Sequence, residues 1–552
     1  MSHTEAISAP GDVRATVPFA RLPWIRPLVS AYATDFRSVA SLFPGNPTDP
    51  ASWSAAVTRV QTAKRPHRDI ATVLERQLAS RQAPARAAEA AALLAAPETV
   101  AIVTGQQAGV FGGPLYTLLK ALSTIRLARH VASTTGAPVV PVFWVDCEDH
   151  DWAEVRTAPI LDREAGVATV ALDDLPGAGT LPVGRLVLDE RATLAIAQLA
   201  ERLPATEYTA PLRDALERCY TPGTTLTRAF ARLLDELLGG EGLVVFEADD
   251  PAAKPLVSGI FQRELSHPCE AASLARAGGE RMAGAGHAPQ IIPTEDTVSL
   301  FYLDDKARRP LRYRGGQFYI GDESRPMEAL TAEAASHPER FSPNVLLRPL
   351  VQDALFPTVA YVAGPSELAY QVQLAELYAA HGLERPMLVS RASATLVDSA
   401  VLKFLERSGM PLEALQPQDE SALNRLLEGQ LPPQLEASCA EIDGFIVAHA
   451  DRLRSVATSV DPTLSGAVDT TVDRLRDTVK TLQAKIVQAA KKKDETLRRQ
   501  FMRTRALTFP EGHPQERHLN VSFFLNRYGL DLPSRLLNAV PPVPDSHLVI
   551  AP

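Results

Sequence analysis

Apolar residues recur along this 552-residue chain in three different rhythms. Up to residue 97 they fall at helical spacing, as in Ala55–Ala63 and Ile70–Leu78, and Ala83–Ala96 is a run of strong helix formers. Residues 1–97 therefore read as an N-terminal helical segment packing on the core. From residue 98 the rhythm changes to short β-branched runs, each leading into a loop and a helix. Thr99–Thr104 is such a run. Gly112-Gly113-Pro114 then opens a helix with Leu115, Leu118, Leu119, Leu122 and Ile125 on one face, and Val139–Val145 is the next run. Gly242–Phe246, Thr358–Ala363 and Met387–Ser390 repeat the grammar, with a helix over Glu367–Ala380. The predicted fold class is α/β: a doubly wound parallel-sheet core over 98–410, interrupted by insertions at about 155–235 and 286–340. In the second insertion Thr297–Leu303 and Gln317–Ile320 read as antiparallel strands joined by Gly315-Gly316.

The third rhythm occupies 411–505. Val468, Val472, Leu475, Val479, Leu482, Ile486 and Ala489 alternate by four and three, a coiled-coil seam. Leu435, Cys439, Ile442, Ile446, His449, Leu453 and Val456 do the same before the loop Ser459–Gly466. The pattern predicts an antiparallel helical arm, with Cys439 and His449 as packing or register residues. Residues 506–552 lack heptads and read as a C-terminal segment returning to the core.

Composition narrows the class. Apolar residues are 45% and charged residues 22%, which fits a folded protein. Arginine outnumbers lysine 46 to 10, and five of the lysines lie between Lys480 and Lys493, marking the arm as a segment of distinct usage. The net charge of -9 argues against a nucleic-acid partner. No apolar run approaches the ~18 residues of a membrane span. Residues 1–18 lack the order of a signal peptide. Cys147, Cys219, Cys269 and Cys439 are scattered, as in a reducing, cytoplasmic setting.

Candidate chemistry gathers where strands end. Thr104–Tyr116 is a glycine-rich strand-to-helix turn carrying Gln106, Gln107 and Gly109, suited to an anion; it is neither a P-loop nor a GxGxxG fingerprint. Asp146–Glu154 packs four carboxylates and His150 into the six residues 146–151. His150 can serve as base or acid with a carboxylate fixing its tautomer, or join Asp or Glu on a metal. Cys147 as nucleophile has no support from its neighbours. Arg348 before Pro349 reads as an extended residue with its fork free for an anion. Gly364-Pro365-Ser366 opens another helix, and Ser390-Arg391 comes after the last strand. A crevice shared by all four edges is the expectation.

The combination of Thr104–Gln107, Gly113–Thr117 with Lys120, Pro141–Trp144 then Glu148–Asp151, Arg348–Leu350, Val362–Pro365 with Glu367 and Tyr370, and Pro514–Arg517 with Asn520 resembles the bacillithiol-synthesis cysteine-adding family, BshC. The resemblance runs from near residue 18 to about 530. It implies a Rossmann-like core with connecting insertions, an arm used for homodimerisation, and a reaction joining the carboxyl of cysteine to the amine of glucosaminyl malate. Amide formation needs an activated carboxyl, so ATP or another nucleotide is the expected cofactor, with no metal. The chain nevertheless lacks both an HxGH tetrad and a Lys-Met-Ser-Lys-Ser loop. On this reading His150 with Asp149 or Asp151, beside Glu148, is catalytic. Gln106, Gln107, Gly109, Tyr116, Lys120, Arg348, Gly364, Pro365, Glu367, Tyr370, Ser390 and Arg391 bind substrate, and Gln515, Arg517 and Asn520 bind nucleotide. Two alternatives stand beside it: a metal-dependent hydrolase or deacetylase using Asp146–Asp151, and a coiled-coil scaffold with a small-anion-sensing crevice.

Overall fold

The computed structural model describes residues 12–428, 433–493 and 495–552. The chain forms two compact units, one comprising residues up to Val397 together with Pro514–Pro552, the other Asp398–His513.

In the first unit, β1 (Asp12–Pro18) precedes the helices Pro27–Thr34, Pro50–Thr62, His67–Arg81 and Ala85–Leu93. β2 (Val100–Gln107) and β3 (Val139–Asp146) flank the helix Leu115–Thr135. The first insertion opens with the hairpin β4 (Thr157–Leu161) and β5 (Val167–Ala171) and runs through helices to β6 (Val244–Glu247). The second carries β7 (Thr297–Leu303), β8 (Arg308–Arg314), β9 (Gln317–Ile320), β10 (Glu323–Arg325) and β11 (Phe341–Pro343). β12 (Thr358–Ala363), β13 (Met387–Ser390), β14 (Ser393–Leu396) and β15 (Ser546–Ala551) complete the strands.

The central sheet has the order β13-β12-β2-β3-β6, and its pairs are parallel. From β2 the chain winds outward through β3 and β6, then returns to build β12 and β13 on the other side. This Rossmann-like arrangement leaves a switch point between β2 and β12, where such sheets open a ligand crevice. β12 is buried throughout, and β2 is buried for its first six positions, which explains their unbroken apolar runs. Val100, Ile102, Val359 and Val362 pack on one face with Trp53 and Leu127; Ala101, Val103, Trp144, Phe246 and Tyr361 pack on the other.

Several elements differ from the sequence expectation. Residues 12–18, within the segment read as helical, form β1, which pairs antiparallel with β15. A partner so distant in sequence leaves no local signal. Gly315-Gly316 joins β8 to β9, with β7 on the outer side of β8. The four arginines of β8 had hidden a strand whose Leu311 faces the core. Glu367–Ala380 is two helices, Pro365–Gln373 and Ala375–Ala380, broken at Leu374. Arg348 is not extended but begins the helix Arg348–Leu355. Pro349 is tolerated there because the first helical turn needs no N–H from it.

The second unit holds the helical hairpin Pro433–Val460 and Ser465–Lys493, joined by the turn Pro462–Leu464. Its inward positions are Leu435, Cys439, Asp443, Ile446, Ala450, Arg454 and Ala457, facing Val468, Val472, Arg476, Val479, Gln483 and Val487. Their spacing is mostly four, four and three, an eleven-residue rhythm that keeps two helices nearly straight, in place of the heptad seam read from the sequence. The ion pairs Arg476–Asp443 at 2.8 Å and Arg454–Asp469 at 2.6 Å tie the helices together. Heptad residues Ile442 (46% exposed), Leu453 (56%), Leu475 (49%) and Leu482 (54%) therefore face outward. Residues 1–11 and the side chains of the lysines at 491–493 lie outside the described residues. Among the described residues no helix is long and apolar enough to cross a membrane.

Candidate active site

A crevice of about 450 Å³ opens at the switch point. The ends of β2, β3 and β12 supply its walls, and the second insertion closes over it with Phe301, Arg308 and Asn344. Gln106 and Gln107 leave β2 toward it. The Gln107 amide donates to Asp149 Oδ2 at 2.9 Å, and that of Gln106 to the Tyr116 hydroxyl at 3.3 Å.

The acidic stretch after β3 splits across two cavities. Asp146, Asp149 and His150 line the crevice, with Glu154 at its rim. Burial pushes the Asp146 carboxyl up, against the pull of Arg348. Glu154 is also raised, by burial of its carboxyl and by Asp151 and Asp149. Glu148 turns the opposite way, into a buried ion pair with Lys254 beside a second cavity of about 850 Å³. Asp151 accepts from the Glu154 N–H at 3.2 Å and so caps the short helix Trp152–Val155. With the cluster dispersed in this way, no group of three or more His, Cys, Asp or Glu side chains among the described residues is arranged to hold a metal ion. The buried Cys147 thiol lies 3.1 Å from Asp249 Oδ1; burial and then that carboxylate push it well above the ordinary range, the reverse of an activated nucleophile.

The opposite wall is built on Arg348, Tyr361, Glu367 and Tyr370. The Arg348 guanidinium donates to Gln352 at 3.1 Å and to the Tyr370 hydroxyl at 3.2 Å, and lies 5.7 Å from the Tyr361 ring centre. Glu367 accepts from the Gly364 N–H at 2.6 Å and the Tyr361 hydroxyl at 3.0 Å, with Lys120 at 2.7 Å. Burial alone would raise this carboxyl, but Lys120 and then Gly364 hold it below the usual range. Lys120 also donates to Gly105 O at 2.6 Å and Gln106 at 3.1 Å, so it braces the crevice from beneath. Pro365 opens the helix that carries Glu367 and Tyr370.

Other expected site residues lie elsewhere. A Cβ on Gly109 would come within 2.8 Å of Gly113 Cα, and Gly113 has φ 69°. The glycines thus permit a tight turn. That turn receives the C-terminal segment: Leu115 N–H donates to Leu519 O and Val521 N–H to Gly113 O, while Asn520 donates to Val110 O at 2.9 Å. Gln515 bonds both the N–H and the carbonyl of Leu396. Ser390, Arg391 and Arg517 line a separate small cavity, where Arg391 pairs with Glu516 at 2.8 Å and lies over the Tyr116 ring. Burial, with Glu154 adding, pushes the Tyr116 phenol up to about 12. Three of the four strand edges thus share the crevice, and the β13 edge does not.

Arg308 and Phe301 were missed by sequence reasoning. Arg308 is one of four arginines in β8, and nothing local distinguishes it; only the folding of the second insertion over β3 brings it to His150.

Comparison with known proteins agrees with this architecture. The model of the bacillithiol biosynthesis BshC N-terminal Rossmann-like domain matches residues 16–392, and that of the BshC C-terminal coiled-coil domain matches residues 394–552. A protein of Salinibacter ruber named "Putative cysteine ligase BshC" is 33% identical over 532 residues, 94% of this chain and 95% of its own length. Proteins of the same name from Heliobacterium modesticaldum and Symbiobacterium thermophilum are 32% and 34% identical, covering 94% and 86% of this chain and 97% and 87% of their own lengths. With both domains matched in order along nearly the whole chain, this protein belongs to the BshC family of bacillithiol biosynthesis.

Proposed function

We propose that this chain is a cytoplasmic ligase that joins the carboxyl of cysteine to the amine of glucosaminyl malate, forming the amide of bacillithiol. The observation that carries the reading is the polarity of the crevice. Arg348 lines the same cavity as Asp146, Asp149 and Glu154, and Arg308 pairs with Asp149 at 3.2 Å, so guanidinium and carboxylate groups both border the ligand space. Such a site suits a ligand with carboxylates at one end and an ammonium at the other. Glucosaminyl malate has that form, and the names of the relatives supply the cysteine. A free carboxylate does not acylate an amine, so ATP or another nucleotide activates the cysteine. The adjoining cavity of about 850 Å³, reached across the Glu148–Asp149 segment, has room for an activated donor.

The outward apolar positions of the hairpin, Ile442, Phe445, Leu453, Val456, Leu475 and Leu482, support homodimerisation through the arm. The test of the ligase reading is incubation with ATP, cysteine and glucosaminyl malate, then mass spectrometry. The bacillithiol mass is the expected outcome. A folded sample that forms no product with any nucleotide would overturn the reading.

A further inference from the structure

We infer that Arg308 holds the His150 imidazole in the tautomer protonated at Nε2, so that His150 meets the substrate as a hydrogen-bond donor and not as the proton acceptor. Arg308 is fixed on every side. Its guanidinium stacks 3.5 Å from the centre of the Phe301 ring, and its side chain is 7% exposed. Nε donates to Ser342 Oγ at 3.1 Å and one terminal nitrogen to Pro343 O at 3.3 Å. The other terminal nitrogen reaches Asp149 Oδ1 at 3.2 Å and is directed at His150 Nδ1 at 3.4 Å.

A guanidinium offers only donors and does not lose its proton in a protein. The ring nitrogen facing it must therefore present a lone pair. Asp149 Oδ1 also lies 3.4 Å from Nδ1 and would favour a proton there. That oxygen, however, already accepts from Arg308 and, at 2.7 Å, from the backbone N–H of His150, while Gln107 holds Oδ2. A neutral imidazole carries one proton; with Nδ1 accepting, it resides on Nε2.

The consequence, which alone rests on the ligase reading, concerns charge. When the neutral sugar amine attacks the activated carboxyl carbon, the C–N bond forms and the carbonyl oxygen gains negative charge. The leaving group then departs with its bonding pair, and the amine proton passes to a crevice carboxylate such as Glu154. The Nε2–H of His150 supplies a donor for the charged oxygen, the group such a transition state most needs.

The experiment is long-range 15N–1H NMR on full-length protein labelled at histidine, with the His150 signals assigned by their loss in His150→Gln. The expected wild-type result is an unprotonated Nδ1 and a protonated Nε2. Arg308→Ala should shift the proton toward Nδ1 and Asp149, and lower kcat by about tenfold or more with a smaller change in KM. A protonated Nδ1 in the wild type overturns the inference without any variant. An unchanged tautomer in folded Arg308→Ala overturns it too. If the protein makes no bacillithiol while the wild type shows Nε2–H and Arg308→Ala shifts it, the ligase reading falls and the role of Arg308 stands.

Discussion

Lys120→Met removes the cation beneath the crevice while nearly preserving its volume. Lys120 is 2% exposed and makes three contacts, at 2.6 Å to Gly105 O, 3.1 Å to Gln106 and 2.7 Å to Glu367. Its loss leaves Glu367 as a half-buried carboxylate without its cation. Breaking a buried pair in this way costs about 3–5 kcal/mol. The Gly364 N–H and the Tyr361 hydroxyl remain on Glu367, which places the expected cost at the lower end, about 3 kcal/mol. At about 2.1 cal/mol/K per residue, a unit of this size shifts its thermal midpoint by ~1 °C per kcal/mol, hence by about 3 °C. The loss should shrink as the pH is lowered. The native carboxyl is held below the ordinary range by Lys120, so the pair stabilises the fold above the unfolded pKa of about 4.3, and that contribution fades as pH falls through the lower native value. Calorimetry of wild type, Lys120→Met, Glu367→Gln and the double variant forms a complete cycle. A coupling of about 2–3 kcal/mol is expected, with the double variant more stable than the sum of the singles. Strict additivity, or a Lys120→Met protein as stable as wild type, would refute the bracing role.

Arg348→Ala should weaken binding of a malate-bearing ligand by about 30–1000-fold, equivalent to about 2–4 kcal/mol, and titration calorimetry reads it directly. His547 is buried between Ser393 at 2.7 Å and Thr395 at 2.8 Å, and burial pushes it down to about 4. Its contribution is complete above the unfolded pKa of about 6.5 and is lost as pH falls toward 4; urea unfolding from pH 7 to 4.5 should show a drop of about 2 kcal/mol, reduced in His547→Gln. Changing Ile442, Leu453, Leu475 and Leu482 together to Glu should give a monomer by light scattering with helicity retained, since all four are exposed; an unchanged oligomer would count against the arm as the dimer contact.

The elements that sequence made legible are those whose surroundings are uniform. β2 and β12 are sandwiched by apolar neighbours on both faces, so a run of Val, Ile and Ala identifies them. β1 depends on a partner at the far end of the chain, and the polar composition of β8 reflects the face it exposes. The same limit governs the site. Gln106, Asp149 and Arg348 stand at strand ends or helix starts where chemistry was expected, and the structure places them in one crevice. Lys120 and Gln515 have the right chemical type, but their donors point inward to the protein's own carbonyls. In the arm, the heptad count registered apolar positions correctly. It could not separate those facing the other helix of the hairpin from those left outside, because spacing alone does not say which neighbour a stripe meets.

The paired hydrogen bonds between Gln515 and Leu396 have a consequence for how this protein can be rebuilt. Leu396 lies just before the segment Asp398–His513 and Gln515 just after it, and each bonds the other at 2.8 and 2.9 Å. The chain therefore leaves and rejoins the sheet-bearing unit at one point. The intervening helices form a cassette whose two ends are clipped together. A few glycine and serine residues should therefore suffice to link Val397 to Pro514 when the cassette is excised.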